Sequence, residues 1–161
     1  MINPYETPKS NALSSEQGIK NGSVVKAVVS AVALDFIGTL VVSFLVGAAY
    51  GMYLASIGTS QSAIIAIVSK HDLTAPNSLI AQGLGLLISY AAAHLCCKIA
   101  GNNAKKATIT AASIMTLIGF ILGFSAYPLW ENILMSGVGL AVYYAAYRSF
   151  LSANKQPFVS Q

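Results

Sequence analysis

The apolar stretch from Val24 to Gly58 constrains the fold of this chain more than any other part of the sequence. It carries only two charged side chains, Lys26 near its start and Asp35 inside it. At a rise of ~1.5 Å per residue, a continuous helix over this stretch would be roughly 50 Å long. That length exceeds the hydrocarbon core of a bilayer, which is about 30 Å thick. The stretch therefore predicts a membrane span that contains a carboxylate.

The composition of the whole chain agrees with lipid as its surroundings. Its 161 residues are 55% hydrophobic and 9% charged, whereas soluble domains carry about 25% charged residues. The mean hydropathy is +0.66. So few charged side chains cannot give a globular protein a hydrophilic surface. We therefore expect this protein to be embedded in the lipid bilayer.

The apolar runs predict an all-α fold, an integral membrane four-helix bundle with a short interfacial helix between spans 1 and 2. A transmembrane helix needs about 20 apolar residues, which the short helix lacks. Residues 1–23 are predicted to be a disordered cytoplasmic tail, residues 24–151 the transmembrane domain, and residues 152–161 a second cytoplasmic tail. The predicted spans are 24–58, 79–100, 107–127 and 132–150, and the short helix is 60–69.

The basic residues predict the orientation of the four spans. Four spans place both termini on one side, and loops on the cytoplasmic side of a membrane are enriched in Lys and Arg. The opposite side would carry only Lys70. Both termini are therefore predicted to be cytoplasmic, on the side that carries Lys9, Lys20, Lys26, Lys98, Lys105, Lys106, Arg148 and Lys155.

Small residues recur at a spacing of four in every predicted span. Two of these patterns are GxxxG motifs, in which small residues let the backbones of two helices approach closely in lipid. The pattern predicts close helix packing within the bundle, and it also suits a homo-oligomer or contact with another membrane protein. The glycines predicted to pack against helices are Gly47, Gly51, Gly85, Gly119, Gly123 and Gly137.

Asp35 and His94 are the candidate functional pair. Asp35 lies nine residues beyond Lys26, and His94 lies four residues before Lys98, so both fall in the cytoplasmic half of the predicted bundle. A carboxylate at such depth costs about 2.5–3.5 kcal/mol on insertion scales and normally faces protein or water. One interpretation is a proton or cation relay between the two side chains. The other is that Asp35 bonds to a helix hydroxyl such as that of Thr39, while His94 reaches the interface.

No motif for catalysis, metal binding or cofactor binding is present. The sequence lacks a P-loop, a dinucleotide fingerprint, HExxH and a nucleophile elbow. The adjacent Cys96 and Cys97 cannot form a disulfide framework and are predicted to be packing residues. The basic residues are few and dispersed, which argues against nucleic-acid binding. We therefore expect no enzyme activity, no cofactor and no metal.

Several segments resemble small uncharacterised four-span proteins of the bacterial inner membrane. The resemblance rests on the proline-bearing leader, on Asp35-Phe36-Ile37-Gly38-Thr39, on the Gly47–Tyr53 segment and on the short lysine loop. It implies a location in the bacterial inner membrane and no particular activity. Chain size and an acidic residue in the first span also resemble small multidrug-resistance transporters, which use a membrane-embedded glutamate. This chain is longer and has its one tryptophan, Trp130, at a helix end.

Two functions follow from these patterns. The first is a helix-packing or accessory component of a membrane assembly. The alternative is a small oligomeric, proton-coupled transporter that uses Asp35. The direction in which Asp35 points distinguishes them, because a relay needs a cavity that admits water and a structural carboxylate needs a dry helix seam.

Overall fold

A computed structural model of the chain describes residues 22–69, 74–124 and 127–154. All regular structure in these ranges is helical, and they contain no β-strand. The predicted all-α class is therefore confirmed. The five helices in chain order are α1 (Val24–Ser56), α2 (Gln61–Val68), α3 (Pro76–Ala100), α4 (Ala104–Gly123) and α5 (Leu129–Ala153).

The helix ends follow from local sequence signals. The hydroxyl of Ser23 accepts a hydrogen bond from the backbone N–H of Lys26 at 3.3 Å and caps α1. In the same way, Ser60 caps α2. Helix α3 begins at Pro76, three residues before the predicted start, because proline suits the first turn of a helix. Gly101 ends α3 with a positive φ of 57°, and α4 starts almost at once at Ala104.

By length and composition, three of the described helices could cross a membrane: α1, α3 and α4. Helix α5 matches α3 in length but carries Glu131 and Arg148, and it does not belong to this group. Helix α2 has 8 residues. The described residues thus form a helical structure, and three of its apolar helices are long enough to span a bilayer.

The four long helices alternate in direction and pack around a common interior. Helix α1 contacts α3 and α4, and α5 contacts the same two helices, while the described backbones of α1 and α5 do not touch. Helices α1 and α5 therefore face each other diagonally. Helix α2 packs on α1 alone. The start of α1 is tied to the α3–α4 turn, where Gly22 N–H donates to the Ala100 carbonyl at 3.2 Å and Asn103 donates to the Gly22 carbonyl at 3.3 Å.

Most of the buried core lies at one end of the bundle, which we call the closed end. It holds the start of α1, the α3–α4 turn and the end of α5. Its buried side chains are almost all small, so the helix backbones can approach closely there. The fully buried members are Ala27, Ala31, Ala92, Ala93, Cys96, Cys97, Ala100, Ala107, Ala111 and Ala146.

Parts of several predictions lie outside the described residues. They are most of the two predicted tails, at 1–21 and 155–161, the segment 70–73 between α2 and α3, and residues 125–126 of the predicted third span. The basic residues Lys9, Lys20, Lys70 and Lys155 belong to these segments.

Candidate binding cavity

A large cavity lies between α1, α3, α4 and α5 on the side of the bundle away from the closed end. We call it the central cavity, and its volume is about 720 Å³. Its floor, next to the closed end, is formed by Asp35, Ser89 and Tyr143, and its far end by Val68, Asn77 and Tyr127. Small-molecule sites in proteins commonly enclose about 300–1,000 Å³. The space is therefore large enough for a drug-sized solute.

Asp35 is the centre of a hydrogen-bond network at the cavity floor. Its carboxylate is only 2% exposed. Ser89 on α3 donates to Oδ1 at 2.7 Å, and Tyr143 on α5 donates to Oδ2 at 2.7 Å. Thr39, one turn along α1, donates to Oδ1 at 3.4 Å. One carboxylate thus joins three helices, including the diagonal pair α1 and α5.

Asp35 is also the only charged side chain among the described residues that line the cavity. The rest of the lining combines apolar side chains with neutral hydroxyl and amide groups. The described basic residues Lys26, Lys98, Lys105, Lys106 and Arg148 lie at the closed end, and all are exposed. Among the described residues, the carboxylate therefore has no cationic side chain beside it in the cavity.

His94 does not meet Asp35 in this structure. Its ring stacks on Tyr90 with centroids 6.3 Å apart and meets Phe150 edge-on, also at 6.3 Å. Its Nδ1 atom is buried without a hydrogen-bond partner among the described residues. The predicted relay partner thus lies apart from the network, and Tyr143 fills that position instead. The other interpretation, a bond between Asp35 and Thr39, matches the observed contact.

The predicted packing glycines occupy different environments. A Cβ atom at Gly47 or Gly51 would lie 4.0 Å from Val68 or 3.7 Å from Ile64, both on α2. At Gly85 it would lie 3.6 Å from the Thr39 methyl group on α1, and at Gly123 it would lie 2.8 Å from the Asn132 amide on α5. Gly119 and Gly137 have open space at that position. Four of the six glycines thus face another helix.

Gly38, which is not among the predicted packing glycines, marks a close approach of α1 and α3. A Cβ atom at Gly38 would lie 2.8 Å from the Ile88 side chain. Gly38 is one turn from Asp35 and Ser89 is next to Ile88. This close approach therefore helps to bring the Ser89 hydroxyl within reach of the carboxylate.

The cysteines lie below the cavity floor, in the closed end. Cys96 and Cys97 have no exposed surface. Both are free thiols, and the Cys97 sulfur lies 3.2 Å from the Thr108 hydroxyl. The described residues contain no group of three His, Cys, Asp or Glu side chains that could hold a metal ion. The arrangement is that of packing residues.

Ser89 and Tyr143 are the site residues that the sequence argument missed. In the sequence, Ser89 stands out only as one of the small residues that recur at a spacing of four in the second predicted span. A signal for Tyr143 was present, because a tyrosine in the middle of an apolar helix needs a partner for its hydroxyl. The neighbouring Tyr144 obscured that signal, since the sequence does not say which of the two faces the interior.

The described residues form a helical protein with three helices long and apolar enough to cross a membrane, and with a cavity between the helices that ends at a carboxylate. Comparisons of the chain with protein-family models, with curated proteins and with solved structures find no match. The functional argument therefore rests on the geometry of the cavity alone.

Proposed function

We propose that this chain is a small proton-coupled membrane transporter that takes a solute into the central cavity and uses Asp35 as its ionisable group. In this proposal α1, α3, α4 and α5 all cross the bacterial inner membrane. The closed end, with its exposed basic residues, faces the cytoplasm, as the enrichment of Lys and Arg in cytoplasmic loops favours. The central cavity then lies toward the outer side.

The observation that carries the proposal is the position of Asp35 at the floor of a cavity of about 720 Å³. A purely structural carboxylate needs donors but no cavity. Ionisable groups within membrane helices commonly mark the path of an ion or substrate. Here the carboxylate separates an open space from a dry, alanine-rich core, which is where a transporter needs its coupling group.

In this proposal, the hydrogen-bond pattern of the floor links proton binding at Asp35 to the packing of the helices. An ionised carboxylate is an acceptor at both oxygens, and a protonated carboxyl group is also a donor. Protonation of Asp35 would therefore weaken the bonds from Ser89 and Tyr143, which join α3 and α5 to α1. The bundle at the floor would loosen when the proton binds and tighten when it leaves.

The test is proton flux in proteoliposomes across an imposed pH gradient. We expect the wild type to carry protons faster than empty liposomes and Asp35→Asn to lose this flux while remaining folded. Glu131→Gln is the matched control, because it removes a carboxylate outside the cavity lining. A wild type that carries no more protons than empty liposomes would contradict the proposal.

A second candidate, a helix-packing or accessory component, is favoured by the nearly complete burial of Asp35 and its three hydroxyl donors. Asparagine preserves the shape and part of this hydrogen bonding. A structural role thus predicts that Asp35→Asn is tolerated and that Asp35→Leu disturbs packing, because buried hydroxyls would then lose their acceptor. Assembly in mild detergent, measured by pull-down and size, would report the partner or the second copy.

A further inference from the structure

We infer that the central cavity takes a monovalent organic cation, a protonated amine attached to an apolar or aromatic body. This inference rests on the proposed function, since it names the class of solute for the same cavity. It follows from the charge in the cavity, from the free acceptor capacity of Asp35 and from the apolar walls.

The charge in the cavity selects against anions. Among the described lining residues Asp35 is the only charged side chain, and the lining holds no Lys, Arg or His. An anion would meet a negative charge that no described cationic side chain balances, in a low-dielectric setting. A cation would instead supply the counter-charge that the described lining does not provide for Asp35.

The acceptor count of the carboxylate fits one additional N–H donor. An ionised carboxyl group offers about four lone-pair sites on its two oxygens. Ser89 and Thr39 both donate to Oδ1, whereas Tyr143 donates to Oδ2. Bonds within the described residues thus leave acceptor capacity on Oδ2. A charge-assisted bond from an ammonium group is the stronger kind for such a site.

The single carboxylate argues for a charge of one. Ca²⁺ sites use six to eight oxygen ligands, commonly with several carboxylates, and Mg²⁺ sites demand octahedral geometry. Around Asp35 the only other described oxygens in hydrogen-bond contact are three hydroxyls that already donate to it. A monovalent cation therefore matches the charge of the site.

The walls above the floor fit an apolar body attached to the cation. Phe36, Leu40, Leu86 and Met115 line the cavity together with neutral hydroxyl groups such as those of Ser43 and Thr116. Burial of apolar surface against such side chains is favourable by about 25 cal/mol per Å². A naphthyl or similar ring system would fill part of the volume and leave its ammonium group at the floor.

The test compares three probes with one ring system and different end groups: naphthylethylamine, naphthylethanol and naphthylpropanoate. Equilibrium dialysis against the full-length protein in detergent, with a detergent blank, gives the affinity of each probe at neutral pH. We expect the amine to bind at least tenfold more tightly than the alcohol and the acid. Asp35→Asn should remove this preference, and Glu131→Gln should keep it.

Binding of the alcohol shows whether a variant still folds its cavity, because the alcohol does not depend on the charge. Equal binding of the three probes to the wild type, or tightest binding of the acid, would overturn the inference. So would an amine preference that survives in Asp35→Asn. Proton flux separates the two proposals. Flux without an amine preference would support the proton-coupled transporter and overturn the organic cation as its solute. An amine preference without flux would support the cation site and contradict the transporter.

Discussion

Replacing Tyr143 with phenylalanine removes the hydroxyl by which α5 holds the carboxylate of α1. The ring and its packing stay, and the 2.7 Å bond to Asp35 Oδ2 is lost. Hydrogen bonds to charged groups contribute about 1.5–3 kcal/mol, and side-chain bonds measured inside membranes average about 0.6 kcal/mol with a maximum near 1.7. Tyr143 is 3% and Asp35 is 2% exposed, so the bond between them is almost completely buried. We expect a loss of about 1–2 kcal/mol in the free energy of unfolding, a factor of roughly 5–30 in the folding equilibrium.

The assay is unfolding in mixed micelles by increasing SDS, followed by circular dichroism and by labelling of the two native thiols. Both cysteines have no exposed surface, so they react when the closed end opens. Tyr144→Phe is the matched control, because Tyr144 is 59% exposed and its hydroxyl meets only Arg148 at 3.4 Å among the described residues. Its expected effect is below about 0.5 kcal/mol.

Combining the substitution with Asp35→Asn tests whether the loss comes from this one contact. Residues that share a hydrogen bond show non-additive effects in a double-mutant cycle, and independent residues add within about 0.3–0.5 kcal/mol. Additive losses in the free energy of unfolding would refute the role of the α1–α5 bond. So would a Tyr143→Phe variant that is as stable as Tyr144→Phe.

Five further substitutions, in three sets, test packing and topology. Gly123→Ala should lower the free energy of unfolding by about 1–3 kcal/mol, because its methyl group would meet the Asn132 amide at 2.8 Å. Gly119→Ala is the control, because a Cβ atom there has open space, and it should be neutral or slightly stabilising. Thermal unfolding in detergent measures both. Gly51→Leu should displace α2 and lower thermal stability or oligomer content, and no change in either would mean that α2 contributes little. In a variant without native cysteines, Ser60→Cys should react with an impermeant thiol reagent from outside the cell and Asn154→Cys should not; labelling of both would contradict the proposed orientation.

Hydropathy and local signals are enough to predict the helices, because both depend on neighbours in the sequence. The 33-residue α1 and its serine cap follow directly from the apolar run after Ser23. The start of α3 at Pro76 is less accessible, since proline reads equally as the end of a loop or as the first residue of a helix. The fourth span remains a prediction, because α5 is not among the described helices that are long and apolar enough to cross a membrane.

The candidate site was harder to predict because it joins residues that are far apart in sequence. Asp35 is conspicuous by its charge, and Thr39 follows from the helical repeat. Ser89 and Tyr143 are 54 and 108 residues away from it. The similar predicted depths of His94 and Asp35 in the membrane suggested that the two side chains meet. Depth, however, gives only the position along the helix axis. Which side chains meet also depends on the rotation of each helix and on which helices are diagonal, and a single sequence supplies neither.

The diagonal placement of α1 and α5 has a consequence for biogenesis. The chain emerges from the ribosome in order, so Asp35 reaches the membrane long before Tyr143 does. Until α5 arrives, the carboxylate has at most the hydroxyls of α1 and α3 as donors. A chain truncated before α5 would retain the acidic group of Asp35 without its Tyr143 donor. Such a group is costly within membrane helices. Packing of α5 against the other helices therefore adds the hydroxyl of Tyr143, which joins α1 and α5 at the cavity floor.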